Sequence, residues 1–343
     1  MALILLNARA SSRPELGGVE RWGREVIARL VDIDPELYRV VRPPAALVHR
    51  AGHAWEQAVL PVLAARLRAT LLFSPANLAP IAWPRNVVVI HDAAALREAA
   101  WYSRSYVAWQ RLVMPRIARR AAHVVTVSEF SRRELIDLLG VSPERVSVIA
   151  GGVDERFRPD ADAPAAAAAL QVSGPYVLAV GSATARKNFA ALELAARRLR
   201  ARGIALVAAG GSRPQFRAED EEDAASVRQL GYVPDHLLPG LYAGARALVL
   251  PSLYEGFGLV CLEAMAAGVP VVASNRGALP ETCGDAALLV EPTDQEAIAA
   301  ALEQVLDDEA LRTRLRAAGL ARAAELTWDR TASETHALLT RIG

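Results

Sequence analysis

The stretch from Leu250 to Asn275, LPSLYEGFGLVCLEAMAAGVPVVASN, leaves a chain little choice of fold. A short apolar run (Ala247 to Leu250) enters a turn, a glycine pair (Gly256, Gly258) opens a helix, and a second apolar run (Val269 to Ala273) follows. This is a β-loop-α-β unit with its polar residues on the first loop. Its two carboxylates have separate places. Glu255 precedes the helix and Glu263 falls about five residues into it, which separates them by roughly 7 Å along the axis. Between them the backbone N–H groups of Gly256, Phe257, Gly258 and Leu259 are the unpaired donors expected of a helix start, with the positive end of the dipole behind them. Such a terminus takes a phosphate. A ligand built as sugar, diphosphate and ribose suits the spacing, Glu255 accepting from sugar hydroxyls and Glu263 from the ribose diol. An ordinary helix start with Glu263 on a solvated face is the alternative. Against it, Glu263 sits in an apolar segment, where an unpaired charge is costly.

The pattern E-G-F-G-L-x-x-x-E, filled by Glu255, Gly256, Phe257, Gly258, Leu259 and Glu263, resembles the signature of the retaining GT-B glycosyltransferases of family 4. The resemblance implies an α/β chain with the GT-B fold: two Rossmann-like doubly wound domains facing across a cleft. The second would hold the nucleotide-sugar donor and the first the acceptor.

At 343 residues the chain is long enough for two domains. Its formal charge of +1 argues against a nucleic-acid partner, for which a basic domain is expected. The two cysteines, Cys261 and Cys283, lie in apolar settings and read as reduced core thiols. The opening MALILLNARASS lacks a basic leader and reads as a buried first strand. No run of about 18 apolar residues is present, so a cytoplasmic location is expected.

The first domain is expected over residues 1–160, with a returning helix at 328–343 that resembles the family's final helix packing back on it. Ala2 to Asn7 is a strand, and Gly17 and Gly18 precede the helical pattern Val19 to Leu30; glycines there let backbone approach a phosphate, or form a plain tight turn. Leu71 to Ser74, Val87 to Asp92, His123 to Ser128 and Val146 to Ala150 continue as strands alternating with helices, the pattern of a doubly wound sheet. His91 stands at a strand end, where it could hold a sugar hydroxyl or stabilise charge. In the resembling family a histidine at the V-I-H-D position lines the donor-sugar pocket. Ser128 reads as an N-cap. A long helical pattern between Trp101 and Ala122 carries Arg111, Arg116, Arg119 and Arg120, an ordinary solvated face with peripheral contact at the inner face of a membrane as its alternative. GGVDERFRP resembles the family's N-P-x-G-V-D segment, but Ala150 and Gly151 replace its leading form, so no role transfers. The alanine run after Pro159 reads as the change of domain. The triplets Asp32–Asp34 and Asp160–Asp162 lie away from strand ends, which disfavours a metal role.

The second domain is expected over 161–327. Arg186 and Lys187 fall between strand Val177 to Val180 and helix Phe189 to Leu199, where cations are unfavourable unless an anion joins them. The match to the family's G-x-x-x-x-R-K-N segment is close, although Ser182 stands where some relatives carry another arginine. Ile204 to Ala209 and Val227 to Leu230 are further strands with an acidic run, Ala218 to Asp223, between them. In the resembling family the loop after the latter strand borders the nucleotide base, which makes Gly231, Tyr232 and Val233 candidates. A late strand Ala287 to Val290 and a helix Asp294 to Leu306 follow. P-loop, zincin and hydrolase-elbow motifs are absent from the sequence.

The resemblance implies a metal-independent, retaining hexosyltransferase with no cofactor. Its substrates would be a nucleotide diphosphate sugar and a saccharide or lipid-linked saccharide acceptor. The V-I-H-D and R-K-N forms look most like bacterial mannosyl- or rhamnosyltransferases using GDP-sugars such as GDP-mannose to build O-antigen or other surface polysaccharides, with UDP-sugars open. A GT-B nucleotide-sugar 2-epimerase and a non-catalytic sugar-nucleotide binder are the alternatives.

Overall fold

The computed structural model describes residues 2–12, 17–44, 52–211 and 226–343. They form two compact units: Met1–Arg97 with Val107–Gly152 and Thr327–Gly343, and Glu98–Tyr106 with Val153–Leu326. The first holds strands β1 (Ile4–Asn7), β2 (Tyr38–Val41), β3 (Leu71–Ser74), β4 (Asn86–Val89), β5 (His123–Thr126) and β6 (Val146–Val148). They make one parallel sheet in the order β2-β1-β3-β4-β5-β6. The second holds β7 (Tyr176–Val180), β8 (Ala205–Ala209), β9 (Arg228–Gly231), β10 (Ala247–Leu250), β11 (Val271–Ser274) and β12 (Ala287–Val290). These too are parallel, in the order β12-β11-β10-β7-β8-β9.

Every residue of β1, β3, β10 and β11 is buried, whereas the edge strand β9 is largely exposed. Helices cover both faces of the central strands, which is why these strands read as unbroken apolar runs instead of alternating ones. In the second unit Leu199, Ile298, Leu302 and Val305 pack from two helices onto Val177, Val249 and Val272. In the first, Met114, Ile117, Leu135 and Leu139 pack with Val88 and Val124. Each such side chain contributes about 1.5–3 kcal/mol relative to exposure.

Each sheet reverses its direction of growth once. In the first unit the chain lays β2 on one side of β1 and then β3 on the other. In the second it runs outward through β8 and β9, then returns to set β10 against β7. Ligands of doubly wound sheets bind beyond the carboxyl ends of the strands at that reversal. The loops after β1 and β3, and those after β7 and β10, therefore occupy the favoured positions.

The helix Trp328–Ile342 is capped by Thr327, whose hydroxyl oxygen accepts from the Arg330 N–H. It belongs to the first unit, where Asp329 pairs with Arg29 at 2.6 Å and the Thr331 hydroxyl donates to the Ala150 carbonyl at 2.8 Å. A Cβ on Gly152 would lie 2.2 Å from the Trp328 nitrogen, so only glycine lets the two segments pass.

Several expectations are corrected. The units divide at Gly152 and Val153, not at 160, and Glu98–Tyr106 groups with the second unit, a crossing that no change of composition marks. The alanine run is a helix, Ala163–Ala169, and Asp162 caps it by accepting from the Ala165 N–H at 3.0 Å. Alanine is the best helix former, so the run was structure rather than spacer. The pattern from Trp101 to Ala122 resolves into a 3-10 turn, Ala99–Trp101, and a helix, Arg104–Arg120. Its Arg111, Arg116, Arg119 and Arg120 are exposed. The segment from Phe189 starts as a 3-10 turn, Phe189–Leu192, and becomes α-helical over Glu193–Ala201. The acidic run Ala218 to Asp223 lies outside the described residues. Among the described residues no helix is long and apolar enough to cross a membrane.

Candidate active site

The second unit's reversal gathers the charged residues. After β7 the chain turns at Gly181, with φ +149°, and a Cβ there would meet the Lys187 side chain at 2.7 Å. Lys187 therefore lies across bare backbone. The Lys187 and Asn188 N–H groups both donate to the Thr184 carbonyl, at 2.8 and 3.2 Å, which closes the turn. Asn188 takes a left-handed φ of +57° and its amide donates to Pro251 and Pro292 carbonyls at 3.1 and 2.7 Å. The loop after β7 is thereby tied to the loop after β10. A backbone bond from Leu253 N–H to the Arg186 carbonyl, 2.9 Å, adds a second tie.

Between these loops sits Glu255, 8% exposed. Lys187 Nζ donates to Oε1 at 2.6 Å, and Arg186 Nη1 reaches Oε2 at 3.3 Å and the Tyr254 carbonyl at 2.9 Å. Burial alone would raise the Glu255 pKa; the charges of Lys187 and then Arg186 outweigh it and hold the carboxyl at about 2. Glu255 is thus ionised, with both oxygens engaged, and two cations face one anion. From the other side Gly277, φ +66°, passes so close that a Cβ would lie 2.7 Å from the Glu255 carbonyl oxygen. The Ala278 N–H donates to that oxygen at 2.9 Å. Gly277 escaped the sequence reading, although a glycine after a polar pair beyond β11 is a turn signal, and Asn188 entered it only as the last letter of the R-K-N segment.

The helix after Glu255 spans Leu259–Ala266, with Gly258 as its N-cap at φ +107° and no capping side chain. It starts later than the glycine pair suggested. The N–H groups of Gly256 and Phe257 thus belong to the loop, and the first-turn donors begin at Leu259, with Cys261 N–H already bonded to the Gly258 carbonyl at 2.9 Å. The Thr282 hydroxyl holds the Phe257 carbonyl at 2.5 Å. Glu263 is the fifth helical residue and buried; its Oε2 accepts from the Tyr242 hydroxyl at 2.7 Å. It is a held carboxylate, not a solvated one. The Trp101 ring lies edge-on to Tyr254, centroids 6.3 Å apart, so the segment before the Arg104 helix touches the residue preceding Glu255.

Strands β7, β8 and β9 run into Gly181, Gly210 and Gly231 at their carboxyl ends. A Cβ on Gly210 would lie 2.0 Å from the Gly181 oxygen. This edge is nearly free of side chains. Beside it Tyr232 is exposed and Val233 buried.

His91, Gly17 and Gly18 belong to the first unit. Nε2 of His91 bonds to the Pro75 carbonyl at 2.9 Å and so carries the proton, and the ring stands edge-on to Trp22. Burial lowers its pKa, which favours the neutral ring and leaves Nδ1 as an acceptor. Holding a hydroxyl fits this state better than stabilising charge. Gly17 caps the helix Gly18–Ile33, and its N–H donates to the Glu20 carboxylate at 3.1 Å; its φ of −99° needs no glycine. The Ser128 hydroxyl oxygen accepts from the Ser131 N–H at 3.0 Å, a plain N-cap. Asp34 accepts from the Glu36 and Leu37 N–H groups, so both D-x-D triplets serve helix ends. Cys261 and Cys283 are buried free thiols, and a hydrogen bond to Cys283 and burial push Cys261 well above its usual range.

Two doubly wound units, one with a dication and a buried carboxylate at its reversal, define a GT-B glycosyltransferase. Residues 165–322 match the family model described as glycosyl transferases group 1, and residues 9–157 match that of glycosyltransferase family 4. The chain belongs to this glycosyltransferase family. It is 34% identical over 268 residues to O-antigen chain mannosyltransferase B of Escherichia coli, covering 73% of this chain and 69% of that protein. It is 31% identical over 280 residues to MMP alpha-(1->4)-mannosyltransferase of Mycolicibacterium hassiacum, covering 76% and 66%. Sucrose-phosphate synthase from Thermosynechococcus elongatus shares the fold, with TM-score 0.78 at 23% identity over 100% of this chain and 99% of the other. So does HepE of Anabaena in complex with UDP-glucose, with TM-score 0.74 at 18% identity over 99% and 100%.

Proposed function

We propose that the chain moves a hexose of mannose or rhamnose type, with retention and without a metal, from a nucleotide diphosphate sugar to a saccharide or lipid-linked saccharide acceptor in surface polysaccharide synthesis. A GDP-sugar is the preferred donor, and UDP-sugars are the other candidates. The reading is carried by Arg186 and Lys187 held against Glu255 on the loops after β7 and β10, with a glycine-capped helix start alongside. Two cations gathered on one carboxylate would meet the charge of an entering diphosphate. The first-turn N–H groups of Leu259 and Val260, with the Phe257–Gly258 backbone, supply further donors. As the diphosphate departs it gains negative charge, and donors already aimed at it stabilise that change without reorganisation.

Glu255 recognises sugar hydroxyls in this reading. A carboxylate with a pKa of about 2 is a weak base and a poor nucleophile. Transfer then follows a front-face route, in which the departing phosphate oxygen takes the acceptor's proton. Glu263, oriented by Tyr242, binds the ribose diol; the Gly231–Tyr232–Val233 backbone borders the base; and His91 accepts from a sugar hydroxyl through Nδ1. Gly17 and Gly18 approach the diphosphate only if Glu20 releases the Gly17 N–H. The mannosyltransferase relatives support the sugar assignment.

Thermal shifts with GDP-, UDP- and ADP-sugars test the donor. One base should stabilise the chain selectively. Product analysis without acceptor should yield donor and its slow hydrolysis product. An epimerised sugar, a trapped glycosyl adduct on Glu255, or transfer abolished by chelator and restored by manganese would each refute this mechanism.

A further inference from the structure

The first unit's reversal also carries a buried charged cluster, built from residues none of which the donor site uses. Asn7 closes β1; its amide nitrogen donates to Glu56 Oε1 at 2.6 Å, and its amide oxygen accepts from the Arg9 N–H at 3.2 Å. Arg9 Nε lies 3.2 Å from Glu56 Oε2, and the His53 Nδ1 lies 3.7 Å from the same oxygen. Arg9 is 4% exposed and Glu56 1%. Two stretches more than forty residues apart in sequence thus converge on one carboxylate. Burial pushes the Glu56 carboxyl up, and His53, Arg9 and Asn7 more than reverse it.

Stability alone explains this cluster poorly, because a buried ion pair is commonly no more stabilising than apolar side chains of the same volume. The backbone gives a second sign. Glu56 lies in a single π-helical turn, Trp55–Val59, where the Leu60 N–H reaches back to the Trp55 carbonyl. Such single turns are rare and are frequently found at functional sites. Arg9 Nε and Glu56 Oε2 face each other as an ion pair without a hydrogen bond, and none is seen at the Arg9 fork among the described residues, so the guanidinium keeps donors to offer a ligand. On the adjoining strand, β3, the first residue past the carboxyl end is Pro75, whose carbonyl holds His91. Trp109 stands edge-on to His53, centroids 5.5 Å apart.

We propose that Glu56 is a positioning residue that fixes the Arg9 fork at the carboxyl end of β1 to bind a vicinal pair of hydroxyls on the saccharide acceptor. The fork presents two parallel N–H donors, matched to two neighbouring oxygens. Because Glu56 neutralises the guanidinium, the site suits uncharged hydroxyls and not a diphosphate. The proposal rests on the glycosyl-transfer reading above.

The test is calorimetric titration of methyl glycosides of mannose, rhamnose, glucose, galactose and N-acetylglucosamine into the GDP-saturated chain. The wild type should bind at least one of them. The double variant Arg9→Met/Glu56→Gln removes both charges together and keeps an oxygen for Asn7. It should melt within about 3 °C of wild type, bind GDP within about twofold, and lose glycoside affinity by at least about tenfold. Arg9→Lys, which keeps charge but not the fork, should lose nearly as much. Undiminished glycoside binding in both variants, or no glycoside bound by a wild type that does bind GDP, overturns the proposal. So does an equal loss of GDP and glycoside affinity, the mark of a purely structural pair. Failure of GDP to bind the wild type would instead strike the donor reading.

Discussion

The two units use the same topology and opposite electrostatics. At the reversal in the second, Lys187 and Arg186 both face the carboxylate Glu255. At the reversal in the first, Arg9 and Glu56 cancel. Both clusters are buried, both draw on loops beyond strand ends, and both hold an ionised carboxylate against its desolvation cost. In the proposed reading, charge balance rather than fold separates a place for a diphosphate from a place for a polyol. On that reading the same doubly wound frame would serve donor and acceptor by changing a few loop residues.

The largest effect expected from breaking this contrast is that of Lys187→Ala. Transfer should fall about 10²–10³-fold, with nucleotide diphosphate affinity falling too, in steady-state kinetics and titration. A fall below tenfold would mean that this cation is not what binds.

Glu255→Gln sharpens the comparison differently. It leaves Lys187 and Arg186 without their anion, so the empty chain should lose about 3–5 kcal/mol of stability, read by denaturant unfolding. A bound nucleotide diphosphate should restore much of it. The wild type carries a matching acid signature. The Glu255 pKa is depressed from 4.5 to about 2 in the folded chain, so its contribution is complete above 4.5 and is lost as pH falls through about 2. That contribution is about 3 kcal/mol. Unfolding curves across that window should show the loss in wild type and not in Glu255→Gln.

Much of the second unit was legible in the sequence because its chemistry is local. The spacing from Glu255 to Glu263 and the adjacency of Arg186 and Lys187 sit inside single loops, and β10 and β12 fall at the expected residues. The meeting of Arg186 and Lys187 with Glu255 was anticipated as a shared ligand, not as direct contact, because residues 68 apart declare no pairing in one sequence. The first unit's cluster was invisible for the same reason. Glu56 lies in a stretch with no motif, and its partner Asn7 is 49 residues away. The domain crossing at Glu98–Tyr106 and the Ala163–Ala169 helix were missed where composition was read as punctuation.

A smaller effect tests how Glu263 is held. Tyr242→Phe removes the hydroxyl that donates to its Oε2, and should cost about 1–2 kcal/mol in stability and raise the donor KM a few-fold while kcat changes little. A kcat loss instead would place Tyr242 in the transfer step.

The central claim is that Arg186 and Lys187 at the second reversal select a diphosphate. Calorimetric titration of GDP, GMP, UDP and UMP into wild type and Arg186→Ala/Lys187→Ala decides it. One base should show its diphosphate binding at least about thirtyfold tighter than its monophosphate, a gap of about 2 kcal/mol, and the double variant should erase that gap. Equal affinity for mono- and diphosphate in wild type, or a gap that survives the loss of both cations, would contradict the account.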